Sequence, residues 1–473
     1  MKLPRGFFVA AITVAVLVCW ILPARHPLSR DEIGTLWIVK DRLADVVSRA
    51  YYWTNWSPYY LIEWPAVHLG GTSEFAMRLP SVLAMGLAAF LLFRIGRRLW
   101  DAEAGLLAVA VFSVMPDIGF AAGDARPYAF TLVALCAYTL AVLRWIETGR
   151  LRDCLAAAIL AALTAYGHIV LAIGLVVPAL YAIWARPTSW HLLLAAALTA
   201  LLAVPLGMQL RAYMGMSTTH YAGFFPVLDD LWAALASAQF LFTIAAGVVL
   251  AFLVVPNLSA QWGISRPATA FLVAWVAFAP ALLFTLARTG IASLYLGRYL
   301  LSTAVPQALL YGAVIRAIAP TRARAMVAST VVVASVVAFF FSAKSFHGEG
   351  WKDALAAVRQ EIAASDMPLV MTSPYIEAQN EATMNDPRLR DVLFAPVLAY
   401  PAPPRLIRLP YVFDQAYVTR VAASDLAREH DFVLLTSSQP IADVFSRELA
   451  NRQVRSNLVG VFRGLKVYRY RMD

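Results

Sequence analysis

Apolar residues recur along this chain in long runs, and short polar segments separate one run from the next. A helix needs about 20 apolar residues to cross the hydrocarbon core of a bilayer. The pattern therefore predicts a polytopic α-helical membrane protein with about eleven transmembrane helices. The predicted spans are residues 7–23, 78–97, 104–116, 127–146, 153–167, 169–185, 190–208, 230–255, 268–287, 299–316 and 325–342.

The first run has the features of an uncleaved anchor. Lys2 and Arg5 precede it, and Pro23-Ala24-Arg25 follows it without a small-residue cleavage site. A removed signal peptide would carry such a site. The run is therefore predicted to stay in the protein as its first transmembrane helix.

The pattern changes after residue 343, where no further run is long enough to span a bilayer. Short apolar segments and one amphipathic segment take its place, as in a small α/β domain. We predict a transmembrane domain over 1–343 and an α/β domain over 344–473. The predicted elements of the second domain are strands at 368–372 and 431–436, helices at 351–364 and 442–451, and closing strands within 461–470.

Residues 24–77 form a long loop after the first span. Apolar positions at helical spacing within 33–50 predict one amphipathic helix lying on the membrane surface. A second short helix is predicted after Pro58. The many Trp and Tyr side chains of this loop suit the headgroup level of a membrane, and one or two of them are candidates for stacking on a sugar ring.

Composition narrows the class of protein. Hydrophobic residues make up 60% of the chain and charged residues 14%, whereas soluble domains carry about 25% charged residues. The three cysteines, Cys19, Cys136 and Cys154, lie in or beside apolar runs without metal-ligand spacing, and they indicate no disulfide framework. The net charge of +10 fits membrane loops and contacts with anionic lipid, not nucleic acid.

The Lys/Arg distribution favours one orientation. With the N-terminus in the cytoplasm, the inner ends of the spans carry thirteen Lys/Arg, and the outer loops up to residue 343 carry ten. This modest bias agrees with the positive-inside rule. An odd number of spans then places both the 24–77 loop and residues 344–473 on the outer, periplasmic side.

Three acidic residues stand out at two places in the predicted outer segments. Asp31 and Glu32 are adjacent in Ser29-Arg30-Asp31-Glu32, immediately beyond the first span. Asp124 lies near the start of the fourth span with Arg126 beside it. A solvated turn explains the first pair equally well, and a helix cap with a local ion pair explains the second.

Two further polar residues lie at predicted outer ends of spans, His168 after the fifth and Arg298 before the tenth. Taken singly, each has an ordinary explanation: a hydrogen-bonded histidine and a snorkelling arginine. Taken together with the carboxylates, they place acids and cations at one membrane face. Such a set can activate a hydroxyl group and hold a phosphate leaving group.

The order of these motifs resembles that of the membrane-embedded GT-C glycosyltransferases. More specifically, it resembles the bacterial branch related to protein O-mannosyltransferases, aminoarabinose transferases and rhizobial galacturonosyltransferases. It is specific over about 25–185. The motifs are Asp31-Glu32, Trp56-Ser57-Pro58-Tyr59-Tyr60, Ser73-Glu74-Phe75-Ala76-Met77-Arg78-Leu79-Pro80, Arg94-Ile95-Gly96-Arg97-Arg98-Leu99, Asp124-Ala125-Arg126-Pro127-Tyr128-Ala129 and Tyr166-Gly167-His168.

The resemblance implies an inverting transferase in a bacterial inner membrane, with its active site on the periplasmic side. It would move a sugar from a polyprenyl-phosphate-linked donor to an acceptor hydroxyl on a cell-envelope glycan, lipid or protein. Asp31 corresponds to the family's catalytic carboxylate, with Glu32 and Asp124 orienting it or the sugar. The residues expected to bind the donor are Tyr59, Arg126, Tyr128, His168 and Arg298. A divalent metal at Asp31 and Asp124 stays open, and the family's frequent His-Pro-Pro is replaced here by Trp56-Ser57-Pro58.

Two other classes of function stay open from the sequence. A transporter or flippase of lipid-linked glycans needs a polar path through several spans, whereas the charges here lie near the span ends. A non-catalytic membrane scaffold would keep its function after Asp31→Asn. Neither the sugar nor the acceptor follows from the sequence.

Overall fold

The structure is a computed structural model, and it describes residues 3–53, 57–216, 225–263, 265–342, 349–363, 367–401, 405–426, 429, 431–450 and 454–472. The chain divides into two compact units. Unit one comprises Met1–Arg25, Asn55–Ala66 and Arg78–Phe346. Unit two comprises His26–Thr54, Val67–Met77 and His347–Asp473. Two segments of the first loop therefore belong with the C-terminal residues, whereas the predicted boundary at 343 separates them.

Helices dominate the described part of the chain. They are α1 (Arg5–Val16), α2 (Arg30–Val39), α3 (Leu43–Trp53), α4 (Tyr59–Gly70), α5 (Glu74–Leu99), α6 (Ala102–Val114), α7 (Pro116–Ala122), α8 (Tyr128–Thr148), α9 (Leu151–Gly167), α10 (Val176–Ala185), α11 (Trp190–Met216), α12 (Leu228–Ala236), α13 (Ala238–Val254), α14 (Arg266–Arg288), α15 (Ala304–Ala317), α16 (Thr321–Ser342), α17 (Trp351–Ile362), α18 (Glu381–Asn385), α19 (Pro396–Ala399), α20 (Gln415–Ala423) and α21 (Gln439–Ala450). Short π or 3-10 turns occupy Leu17–Ile21, Pro23–Arg25, Leu171–Leu175, Gly297–Tyr299, Leu301–Thr303 and Val392–Phe394.

Within the described residues, six helical segments are long and apolar enough to cross a membrane, or up to eight if each of two bent pairs is one span. The bent pairs are α6 with α7 and α12 with α13. Helices α9, α10 and α15 occupy three further predicted spans but have only 17, 10 and 14 residues. The chain is thus a multi-pass helical membrane protein, and the predicted count of eleven is not confirmed.

Close helix contacts hold unit one together around α6. A Cβ atom at Gly96 would lie 2.8 Å from the Cα of Gly105, and one at Gly312 would lie 2.6 Å from the Ala108 nitrogen. Only glycine lets α5 and α15 approach α6 this closely. The buried Glu103 carboxylate, at the start of α6, pairs with Arg324 at 2.9 Å, so its charge is compensated.

Unit two contains a mixed five-stranded sheet in the order β4–β3–β5–β7–β6. Its strands are β3 (Leu369–Thr372), β4 (Leu406–Leu409), β5 (Asp431–Thr436), β6 (Val454–Phe462) and β7 (Leu465–Met472). Unit one has a separate pair of two-residue strands, β1 (Ser259–Ala260) and β2 (Ile318–Ala319), which are antiparallel. Strand β3 is parallel to β4 and β5, and β7 is antiparallel to β5 and β6. Helices α17 and α21 and strands β3 and β5 coincide with predicted elements. Residues 364 and 451, predicted to end helices, lie outside the described part.

The predicted single surface helix at 33–50 is wrong. The segment forms two helices, α2 and α3, and every residue of α2 from Glu32 to Val39 is buried. Arg49 of α3 donates from Nη1 to the Trp37 carbonyl at 2.8 Å and from Nη2 to Asp41 at 2.5 Å. The arginine thus satisfies a backbone carbonyl at the end of α2 and folds α3 back on it.

Candidate functional site

The turn between α7 and α8 carries the first part of a polar site in unit one. The Arg126 amide donates to the Asp124 carbonyl at 2.8 Å, which closes the turn. Pro127 then precedes Tyr128, the first residue of α8. Asp124 is only 3% exposed. The structure therefore places Asp124 at the start of α8, as the sequence predicted.

Aromatic rings connect this turn to two other elements of unit one. The rings of Tyr128 and His168 lie 5.3 Å apart, and those of His168 and Tyr299 also lie 5.3 Å apart. The Arg126 guanidinium lies 5.6 Å from the Tyr128 ring, and the Arg298 guanidinium lies 5.4 Å from the Tyr299 ring. Four predicted residues, Arg126, Tyr128, His168 and Arg298, thus lie in one cluster, which Tyr299 completes. We call these five residues the arginine–histidine cluster.

His168 is neutral at the centre of this cluster. It follows Gly167, the last residue of α9, where a Cβ atom would lie 2.4 Å from Thr131 Oγ1. Burial, with the charges of Arg126 and Arg298, lowers the pKa of His168 to about 3. Among the described residues, its buried Nδ1 has no hydrogen-bond partner. His168 can therefore offer hydrogen bonds to a ligand without adding positive charge.

A second buried group lies along α4 and α5, still within unit one. Tyr59 is 2% exposed, and Glu63 and Ser81 are buried as well. Burial, followed by the charge of Glu63, raises the pKa of Tyr59 well above its ordinary range, and Asp124 also contributes. The Tyr59 phenol is therefore protonated and lies near two carboxylates. Sequence reasoning missed Glu63, because only the tertiary contacts show that this side of α4 is buried.

Asp31 and Glu32 belong to unit two, where they open α2. Ser29 Oγ accepts from the Glu32 amide at 3.3 Å, and Glu32 Oε2 accepts from the Ser29 amide at 2.7 Å. This reciprocal pair is a capping box. Glu32 is fully buried, whereas Asp31 is partly exposed. The two neighbouring carboxylates therefore have different environments. The Glu32 carboxylate stabilises the start of its own helix, α2.

Residues from the C-terminal part of unit two contact the start of α2 at Arg30, next to Asp31. The Tyr375 hydroxyl donates to the Arg30 carbonyl at 2.7 Å. Burial, followed by the charges of Asp31 and Glu349, raises the pKa of Tyr375 well above its ordinary range. Glu349 accepts from the Arg30 amide and from Trp351 Nε1, each at 2.9 Å. Sequence reasoning missed these residues, because more than 300 positions separate them from Asp31.

The geometry gives no support for the divalent metal. Across the described residues there is no group of three or more His, Cys, Asp or Glu side chains that could hold a metal ion. Asp31 and Asp124 lie in different units, and their convergence stays a prediction. Trp56, where the resembling family often has a histidine, lies outside the described residues.

Comparisons with known proteins agree with this architecture. A family model described as "Dolichyl-phosphate-mannose-protein mannosyltransferase" matches residues 58–209, which include α4 and the Asp124–Tyr128 turn. A comparison with curated proteins finds no match.

Solved structures extend the likeness over the whole length. The crystal structure of ArnT from Cupriavidus metallidurans bound to undecaprenyl phosphate matches with a TM-score of 0.60 at 14% identity, covering 99% of this chain and 98% of that one. Its apo state matches with the same TM-score and identity, and covers 98% of both chains. At this identity the likeness concerns the fold. The chain therefore has an ArnT-like fold over its whole length, and its residues 58–209 are similar to the mannosyltransferase family model.

Proposed function

We propose that the protein transfers a sugar, with inversion, from a polyprenyl-phosphate-linked donor to an acceptor hydroxyl on a cell-envelope glycan, lipid or protein. The observation that carries this proposal is the arginine–histidine cluster. Two guanidinium groups flank a neutral imidazole, and both lower the pKa of that imidazole. Charge-assisted hydrogen bonds from arginine suit the oxygens of a phosphate group.

An apolar groove of unit one suits the lipid part of such a donor. It has a volume of about 910 Å³ and lies between α10 and α14, where its lining runs along α14 from Arg266 to Thr285. At about 1.5 Å per residue this is roughly 28 Å, close to the ~30 Å hydrocarbon core of a bilayer. Just beyond Thr285, Ala287 belongs to a hydrophobic cluster against which Tyr299 packs. A polyprenyl chain in the groove would therefore end near the arginine–histidine cluster.

The chemistry assigns one task to each group. Asp31 accepts the proton of the acceptor hydroxyl, whose oxygen forms a bond to the anomeric carbon of the sugar. The bond from that carbon to the phosphate oxygen breaks, and polyprenyl phosphate leaves with the electron pair. Arg126 and Arg298 stabilise the negative charge that develops on the phosphate, while His168 donates a neutral hydrogen bond. Tyr59 and Asp124 orient the sugar or Asp31, and Glu32 holds the start of α2.

The relatives support this choice of donor. The matching family model is named for a dolichyl-phosphate-mannose donor, and the ArnT structure contains undecaprenyl phosphate. We further propose, from the family resemblance of the sequence motifs and the Lys/Arg bias, that the protein lies in a bacterial inner membrane with Asp31 and unit two on the periplasmic side. The analogy leaves both the sugar and the acceptor open.

The test is donor consumption by the purified full-length protein in nanodiscs. Polyprenyl phosphates carrying different sugars are supplied one at a time, and release of polyprenyl phosphate is measured. Arg126→Gln and Arg298→Gln should each lower kcat/KM for the donor by roughly 10–150-fold, because a hydrogen bond to a charged group contributes about 1.5–3 kcal/mol. Arg288→Gln, which changes an exposed arginine at the end of α14, should have little effect.

Two outcomes would contradict the proposal. Equal losses in Arg288→Gln and in the two cluster variants would remove the donor-binding role of the cluster. Movement of intact donor across the bilayer without release of polyprenyl phosphate would indicate a transporter.

A further inference from the structure

A second apolar space in unit one lies apart from the proposed donor groove. It is a cavity of about 570 Å³ between α8, α9, α10 and α11. Ala179 and Ala182 line this cavity, whereas Leu180 and Tyr181 line the groove. The two spaces therefore lie on opposite faces of α10, and no lining residue is common to both.

The depth of the cavity corresponds to one leaflet of a bilayer. Along α11 its lining extends from Leu192 to Ala203, which is about 16 Å at the rise of an α-helix. This is roughly half of the ~30 Å hydrocarbon core. One acyl chain of a phospholipid fits this depth, whereas the longer chain of a polyprenyl carrier requires a path such as the groove.

The cavity begins at a polar rim near the ends of the surrounding helices. Trp145 and Cys154 line it close to the end of α8 and the start of α9. Trp145 Nε1 donates to His191 Nδ1 at 3.2 Å, and the Cys154 thiol donates to the His191 carbonyl at 3.4 Å. The Trp145 ring is buried among apolar side chains while its N–H is hydrogen-bonded, so this end of the cavity is its polar end.

The rim carries an excess of positive charge. The Arg186 guanidinium lies 5.9 Å from the Trp145 ring, and its Nε donates to the Ile146 carbonyl at 2.8 Å. Arg150, on the turn that joins α8 to α9, and Arg152, in the first turn of α9, both have exposed side chains. Within residues 144–153 and at 186 the charged residues are Arg144, Glu147, Arg150, Arg152, Asp153 and Arg186, four cations and two anions.

We propose that this cavity binds one acyl chain of an anionic glycerophospholipid, whose phosphate lies against Arg150 and Arg152. The cavity depth selects a chain of one leaflet, the polar rim marks the headgroup level, and the arginines select negative charge. The bound lipid fills the space between α8 and α11 and stabilises unit one. The site does not depend on the proposed transferase reaction.

The test uses the delipidated full-length protein and lipids with identical acyl chains. Phosphatidylglycerol should raise Tm more than phosphatidylcholine does, and native mass spectrometry should detect about one tightly retained molecule. Ala196→Phe fills the cavity from α11 and should abolish both effects. Leu201→Phe, on the same helix but 68% exposed and outside the lining, should behave as wild type.

Charge variants test the headgroup. Arg150→Gln and Arg152→Gln should each weaken phosphatidylglycerol binding by about fivefold, because a basic residue near an anionic lipid contributes about 1 kcal/mol. They should leave phosphatidylcholine binding unchanged. Retention of phosphatidylglycerol by Ala196→Phe at the wild-type level would overturn the proposal. Displacement of phosphatidylglycerol by an equal amount of undecaprenyl phosphate would also overturn it, because the cavity would then belong to the donor lipid.

Discussion

At the scale of single residues, Asp31 and Glu32 are adjacent in sequence but have different environments. Glu32 is buried in the capping box of α2, and Asp31 is partly exposed beside Tyr375. If Asp31 is the general base, Asp31→Asn should lower turnover by about 10²–10⁴-fold. Glu32→Gln should cost less, because glutamine also completes a capping box.

Both variants should be assayed for turnover and for donor affinity in the same lipid. Donor affinity serves as the control, since Asp31→Asn should leave it near the wild-type value. A larger loss of turnover in Glu32→Gln would show that the wrong carboxylate has been assigned. Normal turnover in both variants would show that neither Asp31 nor Glu32 has a catalytic role.

His168 gives a prediction for the dependence of stability on pH. Its pKa is about 3 in the folded protein and about 6.5 in an unfolded chain. Between these values the unfolded chain binds more protons, so the contribution of His168 to stability is complete above pH 6.5 and is lost as the pH falls toward 3. His168→Gln should therefore reduce the fall in Tm between pH 7 and pH 5.

The comparison needs a second histidine variant, because carboxylates also titrate in this range. His68→Gln changes an exposed side chain and should show the same fall in Tm between pH 7 and pH 5 as the wild-type protein. If His168→Gln also shows the wild-type fall in Tm, His168 is not held neutral in the folded protein.

The sequence predicted four of the five members of the arginine–histidine cluster. Arg126, His168 and Arg298 lie at the ends of apolar runs on the same predicted side, and Tyr128 belongs to a motif of the resembling family. Glu63 and Glu349 gave no such signal. Glu63 lies within a helix whose buried side depends on its tertiary contacts, and Glu349 contacts Arg30 across 319 positions. Contacts of this kind arise from the fold and leave no periodic pattern in the sequence.

At the scale of elements, α2 shows where periodicity misleads. Apolar residues at helical spacing over 33–50 were compatible with one helix on a membrane surface, and the break between α2 and α3 depends on the contacts of Arg49. A helix buried on all sides and one half-buried in lipid both carry apolar residues. Periodicity therefore located the helical residues but not their neighbours.

Gly34 provides a test of this packing. A Cβ atom at Gly34 would lie 2.9 Å from Nε1 of Trp53. The Trp53 side chain of α3 therefore packs directly against the backbone of α2 at Gly34. Gly34→Ala should lower the free energy of unfolding by about 1–3 kcal/mol through overpacking. Gly86→Ala, in α5 with no atom within 4 Å of the added Cβ, should be neutral or stabilising. Equal Tm values for the two variants in one detergent would contradict the close contact.

At the scale of the whole molecule, the number of crossings decides the topology. Six or eight spans would place both termini on the same side, and an odd number such as the predicted total of about eleven would place them on opposite sides. We expect the odd case, in which the short helices α9, α10 and α15 also cross. An alkaline phosphatase fused to the C-terminus should then be active, and a fluorescent protein fused there should be dark.

A fusion to the loop between α5 and α6 is the control, because it follows the second crossing in either count and should report the cytoplasm. The opposite pattern at the C-terminus alone would contradict the odd count of crossings. Opposite patterns at both fusions would place Asp31 on the cytoplasmic side and exclude the periplasmic active site.

Unit two is assembled from three stretches of chain that the ribosome makes at very different times. Residues 26–54 emerge just after the first helix, whereas Glu349 and Tyr375 emerge only after the last helix of the bundle. The surroundings of Asp31 therefore cannot form until almost the entire chain has been synthesised. A nascent or prematurely terminated chain would expose the apolar side chains of α2 without their partners, and such a chain is a natural substrate for quality-control proteases.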